Sequence, residues 1–409
     1  MTMRIAHTSD WHIGRTLHGV DLHQFHAQYF DHLIEVVERE NLDAVLVSGD
    51  IYDRAIPPLD AVELLSDVLM RLSERTQVVL TPGNHDSAIR LGFGSALMRD
   101  SIHIRSQVQG IYNPVEITSK SGQELLVYAL PYLDPDSTRS ALVDCCATHA
   151  VELSGMDTAA HGELPIARSH EAVMGAAMKL VHANLAQRNS ATKPATALMA
   201  HAFVTGGQPT ESERDIRVGG VDSVPAGVFH SIDYLALGHL HGPQKVTVPG
   251  VTARYSGSPL AFSFSEMNHK KSTAIVEFSQ DGSAATTDLI PAPVPRALSD
   301  VTGTLDEVLT SIGQDKRNDW VRVTITDATR PNDMNARIKA VYPHALIMQH
   351  QPAGSQTRTR EVIRVHAQVN PVEVAAAFVQ EMTSVPATAH EKAVLETALD
   401  RARNAEQSA

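Results

Sequence analysis

Residues 77–87 read QVVLTPGNHDS, an apolar run followed directly by a polar cluster. Its first half is a short β-branched run typical of a buried strand. Its second half places Asn84, His85 and Asp86 directly after a Pro-Gly turn. Because an open α/β sheet binds its ligands outside the carboxyl ends of its strands, the stretch favours a ligand site at a strand end. A plain Pro-Gly turn is the alternative while the stretch stands alone.

Other apolar runs extend the same pattern along the chain. Runs of strand length occupy residues 3–8, 44–48, 126–130, 196–200 and 233–237. Amphipathic helical patterns lie between the first three strands, at residues 25–37 and 59–72. Strands that alternate with amphipathic helices predict βαβ units and an α/β fold. Residues 245–290 instead predict successive antiparallel strands that form a second sheet packed on the first.

The rest of the sequence predicts how many domains the chain has and where they begin and end. A chain of 409 residues is too long for one ordinary core, and residues 1–290 account for the large domain. Three prolines in five residues mark 291–300 as a linker. A small α+β block follows at 301–370, with strands expected at 320–326, 345–350 and 362–367. The pattern from 371 to 409 is that of a helical tail.

Composition and charge narrow the class of protein. Hydrophobic residues make up 43% of the chain and charged residues 20%, and no run approaches the roughly 18 apolar residues of a membrane span. Because the N-terminal sequence shows no signal-peptide pattern, we expect a cytoplasmic protein. The net charge of −13 argues against holding nucleic acid by charge alone. Only residues 301–370 are not acidic, with nine basic and seven acidic side chains.

Five strand-like runs end directly in a His, Asp or Asn cluster. The residues concerned are Asp10 and His12, Asp50, Asn84 and His85, His201, and His239 and His241. A single D-x-H triplet occurs by chance in a chain of this length, so it predicts little alone. Five clusters in register with strand ends predict that these side chains meet at one site.

The residue types indicate metal chemistry. Imidazole, carboxylate and carboxamide groups without thiolates suit Mn²⁺, Mg²⁺, Fe or Zn²⁺. Without His85, seven groups remain, which are too many for one ion but suffice for two ions if one carboxylate bridges them. Such a pair attracts phosphate and favours hydrolysis of a phosphoester, with His85 free to act as an acid. Gly49, Gly83 and Gly238 are expected to turn the backbone sharply beside the ligands.

The motifs also resemble a known family. The series D-x-H, G-D-x-x-D, G-N-H-D, a later lone His and G-H-x-H resembles the calcineurin-like metallophosphoesterase superfamily. The stretches DWHIGRTLHG, SGDIYDRAIPP, TPGNHDS and YSGSPLAFSFSE are similar to the bacterial SbcD nucleases. The resemblance implies a four-layer β-sandwich flanked by helices, a small α+β capping domain and a C-terminal helical tail.

The resemblance further implies roles for individual residues. One manganese ion would be held by Asp10, His12, Asp50 and His241. The other would be held by Asp50, Asn84, His201 and His239. Magnesium is the alternative metal. His85 would be the catalytic histidine, and Asp53, where relatives carry a histidine, would be a carboxylate that orients a ligand or a loop.

The implied activity is that of a DNA nuclease. It would be an ATP-dependent double-strand 3'-5' exonuclease and a hairpin and single-strand endonuclease in DNA repair, recombination and replication. An SbcC-type ABC ATPase would be its partner, docked on the tail. The nuclease would be a homodimer within a heterotetramer on the cytoplasmic nucleoid, with the capping domain guiding DNA ends and hairpins over the metals.

Two alternative functions stay open at this stage, and so do the roles of two arginines and of the tail. The same metal core would suit a phosphoprotein or nucleotide phosphatase, because SGDIYDRA also resembles Ser/Thr phosphatases. The other alternative is a scaffold that binds DNA ends or the ATPase and whose metals are only structural. Arg15 and Arg54 follow the metal loops and would either contact phosphate or be solvated. The tail would either dock on the ATPase or pack on its own chain.

Overall fold

The computed structural model describes residues 2–153, 164–188, 194–216, 223–279, 285–352 and 386–406, together with 372, 374–376 and 378. These residues divide into two compact units, Met1–Gln351 and Pro352–Ala409. In the described part of the chain, no helix combines the length and the apolar character that a bilayer crossing requires.

The described elements number nineteen strands and eight α-helices. The strands are β1 (Met3–Thr8), β2 (Thr16–Leu17), β3 (Val20–Asp21), β4 (Ala44–Ser48), β5 (Gln77–Thr81), β6 (Ile102–Ile104), β7 (Val115–Thr118), β8 (Glu124–Ala129), β9 (Ala195–His201), β10 (Phe203–Val204), β11 (Ser223–Val224), β12 (Tyr234–Gly238), β13 (Gln244–Val248), β14 (Val251–Tyr255), β15 (Ser272–Phe278), β16 (Ala285–Pro291), β17 (Leu298–Gly303), β18 (Trp320–Ile325) and β19 (Ala345–His350). The helices are α1 (His23–Arg39), α2 (Leu59–Ser73), α3 (Ala88–Leu91), α4 (Pro135–Thr148), α5 (His170–Gln187), α6 (Leu305–Thr310), α7 (Met334–Val341) and α8 (Ala389–Glu406).

Two six-stranded sheets form the centre of the large domain. The first has the order β16-β15-β1-β4-β5-β6 and the second β13-β14-β12-β9-β8-β7. The central strands of each sheet run parallel, as the βαβ pattern predicts. Their apolar runs are continuous because both faces are buried, as is typical of parallel sheets. The side chains between the sheets include Ile5, Leu46, Val79, Val127 and Met199.

Helices cover both outer faces of the sandwich. The apolar stripes of α1 and α2 pack on the first sheet, where Phe30, Leu33 and Leu69 are buried. The second sheet is covered by α4 and α5, with Leu142 and Leu180 in its core. This helix–sheet–sheet–helix stacking confirms the predicted four-layer α/β fold.

A small block with a core of its own follows the sandwich. Strands β17, β18 and β19 form a parallel sheet that packs against α6 and α7 around Val301, Val321 and Ile338. It contacts the large domain through Trp320, whose ring lies 5.4 Å from that of Phe25 in an edge-on arrangement. We call this block the cap.

The prediction for residues 245–290 is wrong in its sheet assignment. Strands β13 and β14 extend the second sheet, but β15 pairs antiparallel with β1 in the first, with Met3 opposite Phe278. The physical reason is that β15 is buried on both faces, Ile275 against the helices and Val276 between the sheets. The strand expected at 362–367 lies outside the described residues.

Substitution of Leu46, which lies between the two sheets, tests the packing of the sandwich. Leu46 is completely buried there, so Leu46→Ala removes apolar contacts and leaves a cavity. We expect the free energy of unfolding of this domain to fall by about 2–5 kcal/mol in urea titrations. The matched control is Leu289→Ala on β16, where the side chain is 46% exposed and the loss should be roughly 0.5 kcal/mol. Equal losses in the two variants would contradict the packing.

Candidate metal centre

The predicted ligands meet at one edge of the sandwich, where parallel strands of both sheets end. The loops after β1, β4 and β5 supply side chains from the first sheet, and β9 and the loop after β12 supply them from the second. These side chains are Asp10, His12, Asp50, Asn84, His85, His201, His239 and His241. All are buried except Asn84 and His85, which are half-buried. The centre therefore straddles the two sheets.

The backbone at the centre is strained. Asp10, His12, Asp50 and His239 all have positive φ angles, of 53°, 46°, 46° and 108°. Non-glycine residues rarely adopt such angles, and each costs on the order of 1–3 kcal/mol. Surrounding structure must hold such residues in place, and this kind of strain is common at functional sites.

Gly83 and Gly238 have a different role from the predicted one. Neither has a positive φ, so neither supplies a sharp left-handed turn. A Cβ on Gly83 would overlap the Asp50 carboxylate, and a Cβ on Gly238 would overlap the Ser48 carbonyl. Only Gly49, with a φ of 84°, fits the expectation of a turn. The two other glycines are needed because loops from different strands approach too closely for a side chain.

Asp50 lies in the middle of the assembled side chains. Its Oδ2 is 3.6 Å from Nε2 of His12 and 3.4 Å from Nε2 of His201. On one side, the Nε2 atoms of His12 and His241 face each other at 3.1 Å. On the other side, Nε2 of His201 lies 2.9 Å from Oδ1 of Asn84. Asp50 is thus placed between two groups of candidate ligands.

Three groups of side chains have ligand atoms that all lie within 4.8 Å of one another. They are Asp10, His12 and His241; Asp10, Asp50 and His201; and His12, Asp50 and His85. His239 belongs to none of the three, although its ring centroid is 5.4 Å from that of His201. The first two groups overlap at Asp10, which accepts a 3.0 Å hydrogen bond from the His239 amide.

Hydrogen bonds at Nδ1 determine the orientation of three imidazole rings. His201 Nδ1 donates to the Ser48 carbonyl at 3.0 Å, which leaves Nε2 directed at Asp50. His85 Nδ1 donates to the Asp53 carbonyl at 2.8 Å, and the His85 Nε2 has no hydrogen bond to the described residues. His241 Nδ1 pairs with the Ser212 hydroxyl at 2.7 Å. These partners fix ring orientation before any ligand binds.

Burial sets the electrostatics of the centre. Burial raises the pKa of Asp10 to about 6 and lowers that of His239 to about 3. For Asp50 and His201, burial opposes charge on both groups, but their mutual attraction outweighs it. The pKa of Asp50 is therefore held well below its usual range, and that of His201 is raised to about 9. An ionised carboxylate thus persists in a buried place.

The residues present fit divalent cations. Two facing Nε2 atoms at 3.1 Å can share at most one hydrogen bond, and an ion between such lone pairs satisfies both. The Nδ1 of His12 and the Nδ2 of Asn84 are buried without a hydrogen-bond partner among the described residues. Nitrogen and carboxylate donors without thiolates match Mn²⁺, Mg²⁺, Fe or Zn²⁺. The prediction of a divalent metal centre is thus confirmed, whereas the ligands of each ion stay a prediction.

Three further predicted residues lie around the centre. The Asp53 carboxylate is 3.7 Å from Nδ1 of His12 and 3.6 Å from Nη1 of Arg15. Arg15 also donates to the Ser212 carbonyl at 2.9 Å, and its guanidinium lies 4.7 Å from the Phe262 ring centroid. Arg54 is exposed. Asp53 and Arg15 therefore belong to the wall of the centre, whereas Arg54 lies on the surface.

Sequence reasoning missed the residues that hold the loops. The Asp86 carboxylate accepts hydrogen bonds from the amides of Ile51, Tyr52 and Gly83, each at 2.9 Å. It joins the Asp50 loop to the Asn84 loop. Asp86 stands inside the quoted 77–87 stretch, but the sequence contains no signal that two of its partners come from the loop after β4.

The chain is similar to known proteins over most of its length. A family model described as calcineurin-like phosphoesterase matches residues 3–243, and a second, described as Type 5 capsule protein repressor C-terminal domain, matches 294–383. Among curated proteins, the chain is 34% identical to the D subunit of nuclease SbcCD from Bacillus subtilis strain 168, over 79% of this chain and 79% of that protein.

Two solved structures are similar at a lower level. TT1561 of Thermus thermophilus is 11% identical with a TM-score of 0.36, over 71% of this chain and 99% of that chain. A dimetal phosphatase from Danio rerio is 15% identical with a TM-score of 0.38, over 70% and 98%.

Substitution of Asp86 tests whether it holds the two loops together. In Asp86→Asn an amide NH₂ replaces one acceptor oxygen and meets a backbone N–H. We expect a loss of about 1–3 kcal/mol in stability, and faster hydrogen exchange at the Ile51 and Gly83 amides. The control, Asp31→Asn on an exposed face of α1, should change neither quantity. Unchanged exchange at both amides in Asp86→Asn would refute the assignment.

Proposed function

Since this chain belongs to the calcineurin-like phosphoesterases, and among them to the SbcD family of nucleases, we propose that it is the DNA nuclease component of an SbcCD-type complex. As a family member it is a metal-dependent hydrolase. The observation that carries the proposal is the buried Asp50 carboxylate with candidate ligands on both sides of it, and His85 held beside it through Nδ1. We propose that it acts in the cytoplasm, on the nucleoid, where chromosomal DNA is found.

The ligand sets follow from the two sides of Asp50. Asp10, His12, Asp50 and His241 would hold one ion. Asp50, Asn84, His201 and His239 would hold the other. We propose manganese, with magnesium as the alternative, because the donors are imidazole and oxygen. Two divalent ions there would neutralise negative charge on a phosphodiester and acidify an attacking water.

The chain's own residues orient the substrate and handle the proton. His85 is held by its Nδ1–H at the Asp53 carbonyl, so Nε2 can donate a proton to the leaving oxygen of the phosphodiester. The Asp53 carboxylate, between His12 and Arg15, would keep both side chains in place. Arg15 on the wall and the exposed Arg54 would contact backbone phosphates of DNA.

The cap and the tail would serve DNA and the ATPase. The cap lies on the large domain through Trp320 and Phe25, a position that favours a role in guiding DNA ends and hairpins. The 301–370 block as a whole has two more basic than acidic side chains. In the second unit, Val374, Phe378 and Val394 expose 39%, 65% and 55% of their surface. Exposed apolar side chains on an amphipathic tail support docking on an SbcC-type ATPase.

An exposed apolar surface supports a homodimer. Around the start of α2 and around α3, five large apolar side chains are between 68% and 90% exposed. They are Ile56, Leu59, Ile89, Phe93 and Leu97. A 3.0 Å hydrogen bond from Arg90 of α3 to the Ala55 carbonyl joins the two regions. Monomeric proteins rarely expose large contiguous apolar patches, and a two-fold contact buries the same surface of both copies. We call these five residues the apolar surface and propose it as the dimer interface.

Replacement of His85 tests the catalytic assignment. His85→Ala should retain both metal ions, because Asp50 and the other donors are untouched, but lose roughly 10²–10⁴-fold in turnover. The measurement is cleavage of a labelled hairpin-ended duplex in Mn²⁺, with and without the ATPase partner and ATP, together with metal analysis of the same samples. His103→Ala is the control, because that ring bonds to Gln77 at the start of β5, away from the centre.

The two readouts separate the competing outcomes. Full activity of His85→Ala with normal metal content would remove His85 from the mechanism. Wild-type protein that cleaves no DNA under any of these conditions, but hydrolyses phosphopeptides or nucleotides, would replace the nuclease by a phosphatase.

Charge placed on the apolar surface tests the dimer. Leu59→Glu combined with Phe93→Glu should convert the protein to a monomer, since two copies would bring four carboxylates together in a desolvated contact. Sedimentation equilibrium measures the mass. Val294→Glu, at a 64% exposed apolar position in another part of the chain, should leave the mass unchanged. A double variant that keeps the wild-type mass would place the interface elsewhere.

A further inference from the structure

Segment 258–271 contains a buried ion pair beside one candidate ligand. Glu266 and Lys271 are 1% and 6% exposed and form a salt bridge. Burial raises the pKa of Glu266 and lowers that of Lys271, but the attraction of Lys271 outweighs it for Glu266, whose pKa falls well below its usual range. The pair is therefore charged where charge is costly.

The pair touches His241 from two directions. Lys271 Nζ donates to the His241 carbonyl at 2.9 Å, and Oε1 of Glu266 lies 3.6 Å from Nδ1 of the same histidine. Lys271 also donates to the Ser258 hydroxyl at 2.8 Å, and Glu266 accepts from the Phe262 amide at 3.1 Å. The segment is thereby folded around the backbone and ring of His241.

A role in stability alone does not account for this arrangement. A buried ion pair contributes little more to stability than apolar side chains of the same volume, whereas it demands a defined geometry. The geometry obtained here is that of an imidazole whose Nε2 faces the Nε2 of His12 at 3.1 Å. The Phe262 ring, in the same segment, packs edge-on against both imidazoles at 5.2 and 5.4 Å.

The cap also contacts this segment. Phe264 stands two residues before Glu266 in a 3₁₀ turn, and its ring is 2% exposed. The Arg322 guanidinium, on strand β18 of the cap, lies over that ring at 5.2 Å from the centroid. Arg322 is itself fixed by two hydrogen bonds to the Asp300 carboxylate, at 2.7 and 2.6 Å. A cation over an aromatic face is an attractive contact that depends on position.

We propose that Glu266 and Lys271 are positioning residues for His241, and that the cap sets their position through Arg322 on Phe264. This inference rests on the proposed function, because His241 matters as a metal ligand. It assigns the cap a second task besides guiding DNA: its seating on the large domain controls one ligand of the metal centre. A displaced cap would loosen the ion that His241 holds.

Manganese binding to the full-length chain tests the inference without DNA. Two Mn²⁺ ions are expected for wild type by calorimetry and by the electron paramagnetic resonance signal of free Mn²⁺. In Glu266→Gln one ion should bind about tenfold more weakly while the other is unchanged. Arg322→Gln and Phe264→Leu should weaken the same ion, and the double variant should be no weaker than the worse single variant, because both remove one contact.

The controls separate positioning from general destabilisation. Arg317→Gln removes another cap arginine, one whose side chain donates to Gln314 within the cap, and should bind both ions like wild type. Arg322→Lys should restore part of the affinity, since a cation returns over Phe264. Metal-free melting temperatures of Arg322→Gln and Arg317→Gln should agree.

Two results would overturn the inference. One is binding of both ions by Arg322→Gln and Phe264→Leu within about twofold of wild type. The other is equal weakening of both ions, which a purely structural role predicts. If Glu266→Gln does not fold, the two cap-contact variants decide alone. A failure of the proposed function would look different: wild-type protein would bind both ions yet cleave no DNA.

Discussion

The centre depends on keeping the Asp50 carboxylate ionised where water barely reaches it. Burial alone would protonate this group, and attraction to His201 and His12 prevents it. The same arrangement forces Asp50 into a positive φ and requires glycine at 83, where a side chain would overlap the carboxylate. Strain and desolvation persist only because the surrounding sheets are well packed. A group that attracts cations is thus stabilised by the fold and left available to them.

Because the ligands come from two sheets, the packing between the sheets sets the size of the centre. The Ser48 hydroxyl at the end of β4 donates to the Ala236 carbonyl of β12 at 3.0 Å, and the Ser48 carbonyl accepts from His201. These bonds connect the two sheets next to the ligands. A shift of one sheet against the other would therefore change the separation of Asp50 and His201 directly. The apolar layer beneath, with Leu46 and Val79, resists that shift.

Much of the fold and centre could be predicted from local patterns. Strands β1, β4 and β5 follow from apolar runs buried on both faces, and Asp10, Asp50 and His85 follow from polar residues at strand ends. The predictions that failed concern residues whose partners are distant in the sequence. The sheet that β15 joins is decided by the free edge of β1, and the polar sequence of β17 carries no strand signal. Likewise Asp86 and Glu266 act on backbone and side chains that only the tertiary structure brings near, so no spacing reveals them.

The charge distribution limits how such a centre can meet DNA. The first 300 residues have a net charge of −12, so the large domain as a whole repels a polyanion even though divalent ions would make its centre attractive. Attraction of that kind is short-ranged at physiological salt, because charges more than about 8 Å apart are screened. DNA must therefore be brought to the centre by other surfaces. The cap itself, residues 298–350, has six basic and seven acidic side chains and adds no net attraction, so in the proposed complex an ATPase partner would supply most of the affinity.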